Sequence, residues 1–376
     1  MTADFGQPLF PAPVDGATVG VIVPRPLKGP LDYRVPAGMQ LARGDIVEVP
    51  LGRAGTSLGI VWGPAEGKFP PERLKPVSRR FDMAPLQEKL LQFIDWVAAY
   101  VMVSPGEIAN LVLRAPDALE PEPARKAVRL GPQAPARLTD ARARVMALAA
   151  DGLARRISEV CAEAGVTTEV VRGLVKMRAL EEVLLPPEPA AGTPDPAFAG
   201  PTLSAAQSAA AAHMIRAVNA GTFEAILLDG VTGSGKTETY FEALAAALMQ
   251  GRQALILLPE IALTVQFLDR FARRFGTRPA EWHSDLTQAQ RRRVWRGVAS
   301  GDVRVVVGAR SALFLPFREL GIIVVDEEHD TAFKQEEGVV YNARDMSVVR
   351  ARMEACPVVL SSATPSLETW VNAGQG

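Results

Sequence analysis

Hydrophobic and polar positions fall into three regimes along the chain. From Val19 to Trp62 the apolar residues come in short β-branched runs: Val19-Gly-Val-Ile-Val, Asp45-Ile-Val-Glu-Val and Gly59-Ile-Val-Trp. Alternation with Gly and Pro close by predicts a small β-barrel or sandwich rather than a parallel sheet. Leu86, Leu90, Leu91, Phe93, Ile94, Val97 and Val101 then recur near helical spacing, so one helical face is expected to pack on that β unit. In the second regime the pattern predicts helices over about 138–150, 155–164 and 167–178, then a strand at Leu180-Glu-Glu-Val-Leu-Leu185. Thr167-Thr168 offers an N-cap for the third helix, with Val170, Val171, Leu174 and Val175 on its apolar face. Arg172, Lys176 and Arg178 stand on or near the other face. Three short helices before a strand have the shape of a winged helix, whose third helix enters a DNA groove in many such domains. A helical packing domain with solvated arginines is the alternative. The third regime alternates helices (204–219, 237–250, 261–275) with strands (225–229, 254–258, 303–307, 321–325, 357–361). That order predicts a parallel sheet covered on both faces.

Breaks in the pattern set the boundaries. Residues 1–16 are polar and proline-broken, which predicts a flexible arm. Residues 117–135 hold many Pro, Ala and Arg and read as a linker; residues 186–201 (PPEPAAGTPDPAFAGP) read as a stiff, extended one. The expected organisation is a β-rich domain over 17–116, a winged-helix domain over 117–185, a linker at 186–202 and a nucleotide-binding lobe over 203–376. A length of 376 residues fits two or three such domains. The fold class is therefore multidomain, α+β followed by α/β.

Composition changes this picture in only a few places. No apolar run approaches the roughly 20 residues of a membrane helix. Asp4, Pro8, Pro11 and Pro13 interrupt the first segment, so a signal peptide is not expected. Cys161 and Cys356 lie far apart and make no metal-ligand pattern, which predicts reduced thiols and a cytoplasmic location. The net charge of −1 conceals segregation: residues 125–178 carry 11 Lys/Arg against 5 Asp/Glu, whereas residues 203–376 carry 18 against 19. The basic segment coincides with the three predicted helices.

The candidate chemistry begins at Ala225-Ile-Leu-Leu-Asp-Gly-Val-Thr-Gly-Ser-Gly-Lys-Thr-Glu238. An apolar strand runs into a turn that fits G-x-x-x-x-G-K-[ST] through Gly230, Gly235, Lys236 and Thr237. Glycines let the backbone of Gly230, Val231, Thr232, Gly233, Ser234 and Gly235 curl, so that successive N–H groups face phosphate oxygens. Lys236 is expected to reach the β- and γ-phosphates, Thr237 to hold Mg²⁺, and Glu238 to complete the nucleotide-binding turn. ATP with Mg²⁺ is the expected cofactor. Ile322-Ile-Val-Val-Asp-Glu-Glu-His329 is the second signal. Its strand ends in Asp326, expected on the Mg²⁺ shell, followed by Glu327, expected to orient or deprotonate the attacking water. A third strand runs into Ser361-Ser-Ala-Thr-Pro365, whose small hydroxyl residues can relay hydrogen bonds from the nucleotide site.

The order P-loop, Asp-Glu-x-His, Ser-Ala-Thr resembles the first, RecA-like motor lobe of superfamily 2 helicases. Within them the chain resembles the PriA replication-restart helicases. Leu203-x-x-x-Gln207 is similar to the family's adenine-reading glutamine. Leu258-Pro-Glu-Ile-Ala-Leu-Thr264 and Gly308-Ala-Arg-Ser-Ala-Leu-Phe-Leu-Pro-Phe317 resemble segments along the single-strand track, which implies Arg310 as a DNA contact; His283-Ser284 and Trp295 sit at a fitting spacing. Asp330 to Asp345 resembles the family's aromatic-rich loop, which implies that Phe333 and Tyr341 meet DNA and that His329, Ser362, Ala363 and Thr364 couple this contact to hydrolysis. Pro26 to Tyr33, Gly44 to Gly52 and Arg73 to Val77 look like the family's pocket for a nascent 3′ end, with Asp32, Tyr33, Gly52 and Lys75 at the matching positions and Leu31 where an aromatic is usual.

The resemblance implies an ATP-dependent 3′→5′ DNA helicase that recognises stalled forks and restarts replication through primosome assembly. Its implied partners are branched and single-stranded DNA, nascent 3′ ends, single-strand-binding protein and other primosome proteins, with no membrane. Family members continue into a second motor lobe, which supplies arginines to the ATP site, and a zinc module. Two cysteines cannot build that module, so its ligands are not in these 376 residues. Two other readings compete. One is a fork- and 3′-end-binding module without productive hydrolysis. The other is a different P-loop enzyme, such as a nucleotide kinase or transport ATPase, against which Gln207 and the motif order argue.

Overall fold

The computed structural model describes residues 17–375 apart from 53–54, 123, 136 and 260–263. The expected arm over 1–16 and the middle of the Leu258–Thr264 segment lie outside the described residues. The chain divides into two compact units: residues 121–189 form one, and the flanking stretches up to Glu120 and from Ala190 form the other.

The larger unit opens with a five-stranded antiparallel sheet in the order Leu31–Arg34, Thr18–Ile22, Thr56–Pro64, Ile46–Pro50, Arg79–Arg80. Alternation along these strands sorts the side chains. Val19, Val21, Val47, Val49 and Val61 form a core on one face with Tyr33, while Ile22, Ile46 and Ile60 join the helical side. Lys75 and Val77 exchange backbone hydrogen bonds with Arg34 at the far edge, so residues 75–80 run between the two edge strands. Helix Glu88–Tyr100 buries Leu90, Leu91, Phe93, Ile94 and Val97, the face its periodicity predicts. Ser104 and Glu107 form a capping box for helix Pro105–Val112.

The rest of this unit is α/β. Six parallel strands lie in the order Ala280–Trp282, Val305–Gly308, Gln253–Leu257, Leu320–Asp326, Val358–Ser362, Ala225–Asp229. Leu320–Asp326 is buried along its whole length, as a continuous apolar run in a parallel sheet should be. Helices Ala205–Ala220, Lys236–Met249, Val265–Phe275, Gln288–Ser300 and Ala343–Glu354 surround the sheet. The opening domain is fastened to this lobe by side-chain bonds to backbone carbonyls. Trp295 donates its Nε1–H to the Val112 carbonyl at 2.9 Å, Arg296 reaches the Ala118 carbonyl, and Lys89 reaches the Glu354 carbonyl. Arg350, fully buried, lies over the Phe93 and Phe317 rings and donates to the Leu313 and Leu315 carbonyls.

Residues 190–202, within the stretch expected as a stiff, extended linker, are bonded to the lobe. Asp195 N–H bonds the Phe275 carbonyl, and the buried Arg274 donates to the carbonyls of Pro196 and Phe198 while pairing with Glu242 at 2.8 Å. Proline fixes the local conformation here, but a buried guanidinium holds the segment against the lobe.

In the smaller unit, strand Arg125–Leu130 pairs antiparallel with both Leu180–Leu185 and the short Arg155–Arg156. It lies within a stretch whose Pro, Ala and Arg content predicted a linker; only Ala127 and Val128 are buried, too few to announce a strand. Helices Asp140–Ala149, Ile157–Ala164 and Thr168–Lys176 pack Val145, Val160, Val171 and Leu174 against Val128 and Leu180. Arg172, Lys176 and Arg178 are exposed.

Candidate nucleotide and DNA sites

Three neighbouring strands end level with one another. Asp229 pairs in register with Ser362, and Ser361 pairs with Asp326. The P-loop, Ser-Ala-Thr and Asp-Glu-Glu-His segments therefore leave the sheet side by side at its C-terminal edge, where open parallel sheets bind ligands.

The P-loop turn depends on its glycines. Gly233 and Gly235 both have φ of +79°, and a Cβ on Gly235 would stand 2.3 Å from the Gln207 side-chain nitrogen. Lys236 Nζ donates to the Gly230 carbonyl at 2.6 Å, within the ring of atoms the loop encloses. Gln207 accepts from Ser204 N–H at 2.7 Å, capping its own helix, and donates to the Ser234 carbonyl at 2.7 Å. The glutamine is thus wired to the P-loop backbone. Beside it lies a cavity of about 500 Å³ lined by Gly200, Leu203, Gln207, Glu238, Phe241 and Arg270 among others.

Asp326 is held by three donors. Tyr240 Oη–H donates to Oδ2 at 2.9 Å, while Ser361 Oγ–H at 2.7 Å and Glu327 N–H at 3.1 Å donate to Oδ1. Burial, reinforced by the Asp326 charge, pushes the Tyr240 phenol well above its ordinary pKa, so it stays a donor. Glu327 sits at φ +52°, an uncommon backbone for a residue with a Cβ. Its carboxylate is 3.8 Å from His329 Nδ1, which in turn lies 2.7 Å from Ser362 Oγ; that hydroxyl also accepts from Thr364 N–H. The structure brings His329, Ser362 and Thr364 into one chain of hydrogen bonds, with Ala363 contributing no polar side chain. Thr237 Oγ1 and Asp326 offer hard oxygen donors on either side of the Tyr240 hydroxyl, a donor set that fits Mg²⁺.

Sequence reasoning missed three residues. Tyr240 follows Lys236 by one helical turn, and its polar tip amid an apolar helix face was the available signal. Glu328 is fully buried and accepts from Ser366 N–H (2.7 Å), Ser366 Oγ–H, Thr369 Oγ1–H and Arg344, tying the Asp-Glu-Glu-His turn to the segment after Ser-Ala-Thr. The third is Arg270, whose guanidinium donates to Thr237 Oγ1 at 3.2 Å.

The expected DNA contacts fare differently. Phe333 and Tyr341 are 1% and 5% exposed, not displayed; Tyr341 packs edge-on against Phe314 at 5.3 Å, and burial pushes its phenol up to about 12. Arg310 donates to the carbonyls of Ala332 and Lys334, bracing this loop. In this conformation the two rings are buried in the lobe, while Arg310 is partly exposed. Trp295, noted for its spacing, is buried against the opening domain. His283 is half-buried, 3.6 Å from Glu281. In the opening domain, Tyr33 donates to the Pro50 carbonyl and Lys75 Nζ to the Gly52 carbonyl at 2.9 Å, so Tyr33, Gly52 and Lys75 converge on the loop after Pro50. Asp32 departs from them: its carboxylate accepts N–H groups of Glu66, Gly67 and Lys68.

The P-loop and the Asp-Glu-Glu-His edge lie in a lobe of the helicase class. Residues 204–372 match the model of the DEAD/DEAH box helicase family, and residues 20–114 match that of a 3′DNA-binding domain. The chain belongs to the PriA family of replication restart proteins. It is 35% identical to replication restart protein PriA of Rickettsia felis over 355 residues, 94% of this chain and 43% of that protein. Its identity to the Chlamydia pneumoniae protein of that name is 32% over 383 residues, 95% of this chain and 49% of that protein. Over a shorter stretch of 146 residues, 39% of this chain and 22% of the relative, it is 56% identical to the Rickettsia typhi protein. The chain spans less than half the length of these relatives.

Proposed function

We propose that this chain is the DNA-end-binding and ATP-binding portion of a replication-restart helicase that moves 3′→5′ on DNA. The observation that supports this best is the level ending of three strands, with Asp326 bonded to the P-loop helix through Tyr240 and to the Ser-Ala-Thr strand through Ser361. ATP would sit on residues 230–238, with Gln207 at its base and Lys236 on its β/γ oxygens. Thr237 and Asp326 would hold Mg²⁺, which when bound neutralises phosphate charge. Glu327 would orient the attacking water. His329, Ser362 and Thr364 would pass the state of this site to the DNA-facing side of the lobe, and release of Phe333 and Tyr341 from their burial would accompany DNA contact.

The smaller unit we read as a winged helix, with Arg172, Lys176 and Arg178 meeting DNA phosphates. The opening domain would receive a nascent 3′ end near Lys75 and Gly52, with Tyr33 shaping the loop. In the cytoplasm the chain would meet forks, single-strand-binding protein and other primosome proteins.

A second reading is a fork- and 3′-end-binding module without productive hydrolysis of its own; the matches cover 43% and 49% of two relatives. Arginines contributed from a second lobe are worth about 10³–10⁵ in rate in related P-loop enzymes. The isolated chain should bind forks yet hydrolyse ATP near background. Fluorescence anisotropy with forks ending in 3′-OH or 3′-phosphate tests the end-binding role. Tighter binding of the 3′-OH fork is expected, because a site fitted to a terminal hydroxyl clashes with the bulkier phosphate. Equal affinity for both forks refutes a 3′-end pocket, and strong DNA-stimulated hydrolysis by the isolated chain refutes the dependence on a second lobe.

A further inference from the structure

Thr237 Oγ1, the hydroxyl expected on the metal, already has a cationic partner. Helix Val265–Phe275 aims Arg270 at the P-loop, where Nη1 donates to Thr237 Oγ1 at 3.2 Å and Nε lies 3.3 Å from Glu238 Oε1. Thr237 is a buried residue, 8% exposed, so little solvent competes for its side chain. A guanidinium within hydrogen-bond reach of this oxygen repels a divalent cation approaching the same atom. The same guanidinium borders the cavity beside Gln207, so a rotamer change gives it somewhere to go.

We propose that Arg270 and Mg²⁺ compete for the Thr237 hydroxyl, so that loading a metal–nucleotide complex requires the guanidinium to leave Thr237 for the neighbouring cavity. In the cavity it stays close to Gln207 and Glu238 and can cover a bound nucleotide without contacting the metal's oxygen. Arg270 thereby reduces the advantage that Mg²⁺ gives a bound nucleotide over a metal-free one. Glu238 carries the opposite charge that steadies the guanidinium in the first position; its loss should favour release. The proposal rests on the P-loop reading above, and its test separates the two.

The experiment is calorimetric titration of ADP onto the intact chain, once with excess Mg²⁺ and once with a chelator. The quantity read is the factor by which Mg²⁺ tightens binding. Arg270→Gln removes the charge while keeping a side chain of similar reach. It is expected to raise the Mg²⁺ factor roughly tenfold over wild type, the scale of one charge-assisted hydrogen bond. Arg270→Ala should do the same, and Arg278→Ala, which breaks only the exposed pair with Asp269, should leave the factor unchanged. If both Arg270 variants weaken ADP equally with and without Mg²⁺, the residue is a plain nucleotide contact and the competition is refuted. A lowered Mg²⁺ factor also refutes it, because Arg270 would then assist the metal. If wild type binds no ADP under either condition, the nucleotide site itself is wrong.

Discussion

Replacing Tyr240 by Phe removes one buried hydroxyl at the centre of the site, which bonds Asp326 and also meets the Thr237 side chain. The ring keeps its edge-on packing against Phe241, with centroids 5.3 Å apart, so no cavity opens. What disappears is the 2.9 Å bond to Asp326 Oδ2, a neutral donor on a buried carboxylate. Bonds of that kind contribute about 1.5–3 kcal/mol net, and the deserted acceptor has little water to turn to. For a lobe of this size the expected loss is roughly 3–10 °C in Tm, with an unchanged urea m value. The pH dependence carries a second signature. Burial raises the folded pKa of Tyr240 above its unfolded value of about 10. The folded chain therefore holds this proton more tightly, so the phenol's stabilisation is complete below about pH 10 and is lost as pH rises beyond it. Tyr240→Phe should lower Tm at pH 7 and lose part of its alkaline sensitivity. A double-mutant cycle with Asp326→Asn should return most of the loss as coupling. A variant within about 1 °C of wild type at pH 7 would mean the bond does not anchor Asp326.

Gly235→Ala must meet both a left-handed φ and a Cβ 2.3 Å from Gln207; nucleotide binding should fall at least about tenfold while circular dichroism stays near wild type, the strain being local. Trp295→Phe leaves the buried Val112 carbonyl without its donor and should cost about 1–3 kcal/mol in urea titrations; a change under about 0.5 kcal/mol would mean the opening domain does not depend on this contact. Cys356 is buried, its thiol pushed far up by desolvation, whereas Cys161 is partly exposed; a thiol reagent should label Cys161 in the folded chain and Cys356 only after urea.

Much of the lobe was legible because its strands bury both faces. Runs such as Ile322 to Val325 have few other readings, and the P-loop announces both its turn and its helix. Helix Gln288–Ser300 was not legible from hydrophobic periodicity, since Arg291, Arg292, Arg293 and Arg296 crowd a helix that buries only Val294, Trp295 and Val298. Its Thr287–Gln290 capping box was a usable local signal. Asp32, Phe333 and Tyr341 show a different limit. Residue type marks them as able to bind DNA, but whether a carboxylate or ring is turned to solvent depends on partners remote in sequence, such as Gly67 and Phe314. Glu328 was hidden for the same reason: an acidic residue after a strand reads as solvated until Ser366 and Thr369 fold over it.

Residues 230–238 and Asp326 are proposed to form one nucleotide site. Titrating an ATP analogue with Mg²⁺ onto wild type, Lys236→Ala and Asp326→Ala tests it most directly. Wild type should bind one equivalent saturably. Lys236→Ala should lose binding, because it removes the point charge that reaches the β/γ oxygens. Asp326→Ala should lose mainly the Mg²⁺-dependent part. One-site binding that survives unchanged in well-folded Lys236→Ala would contradict the account.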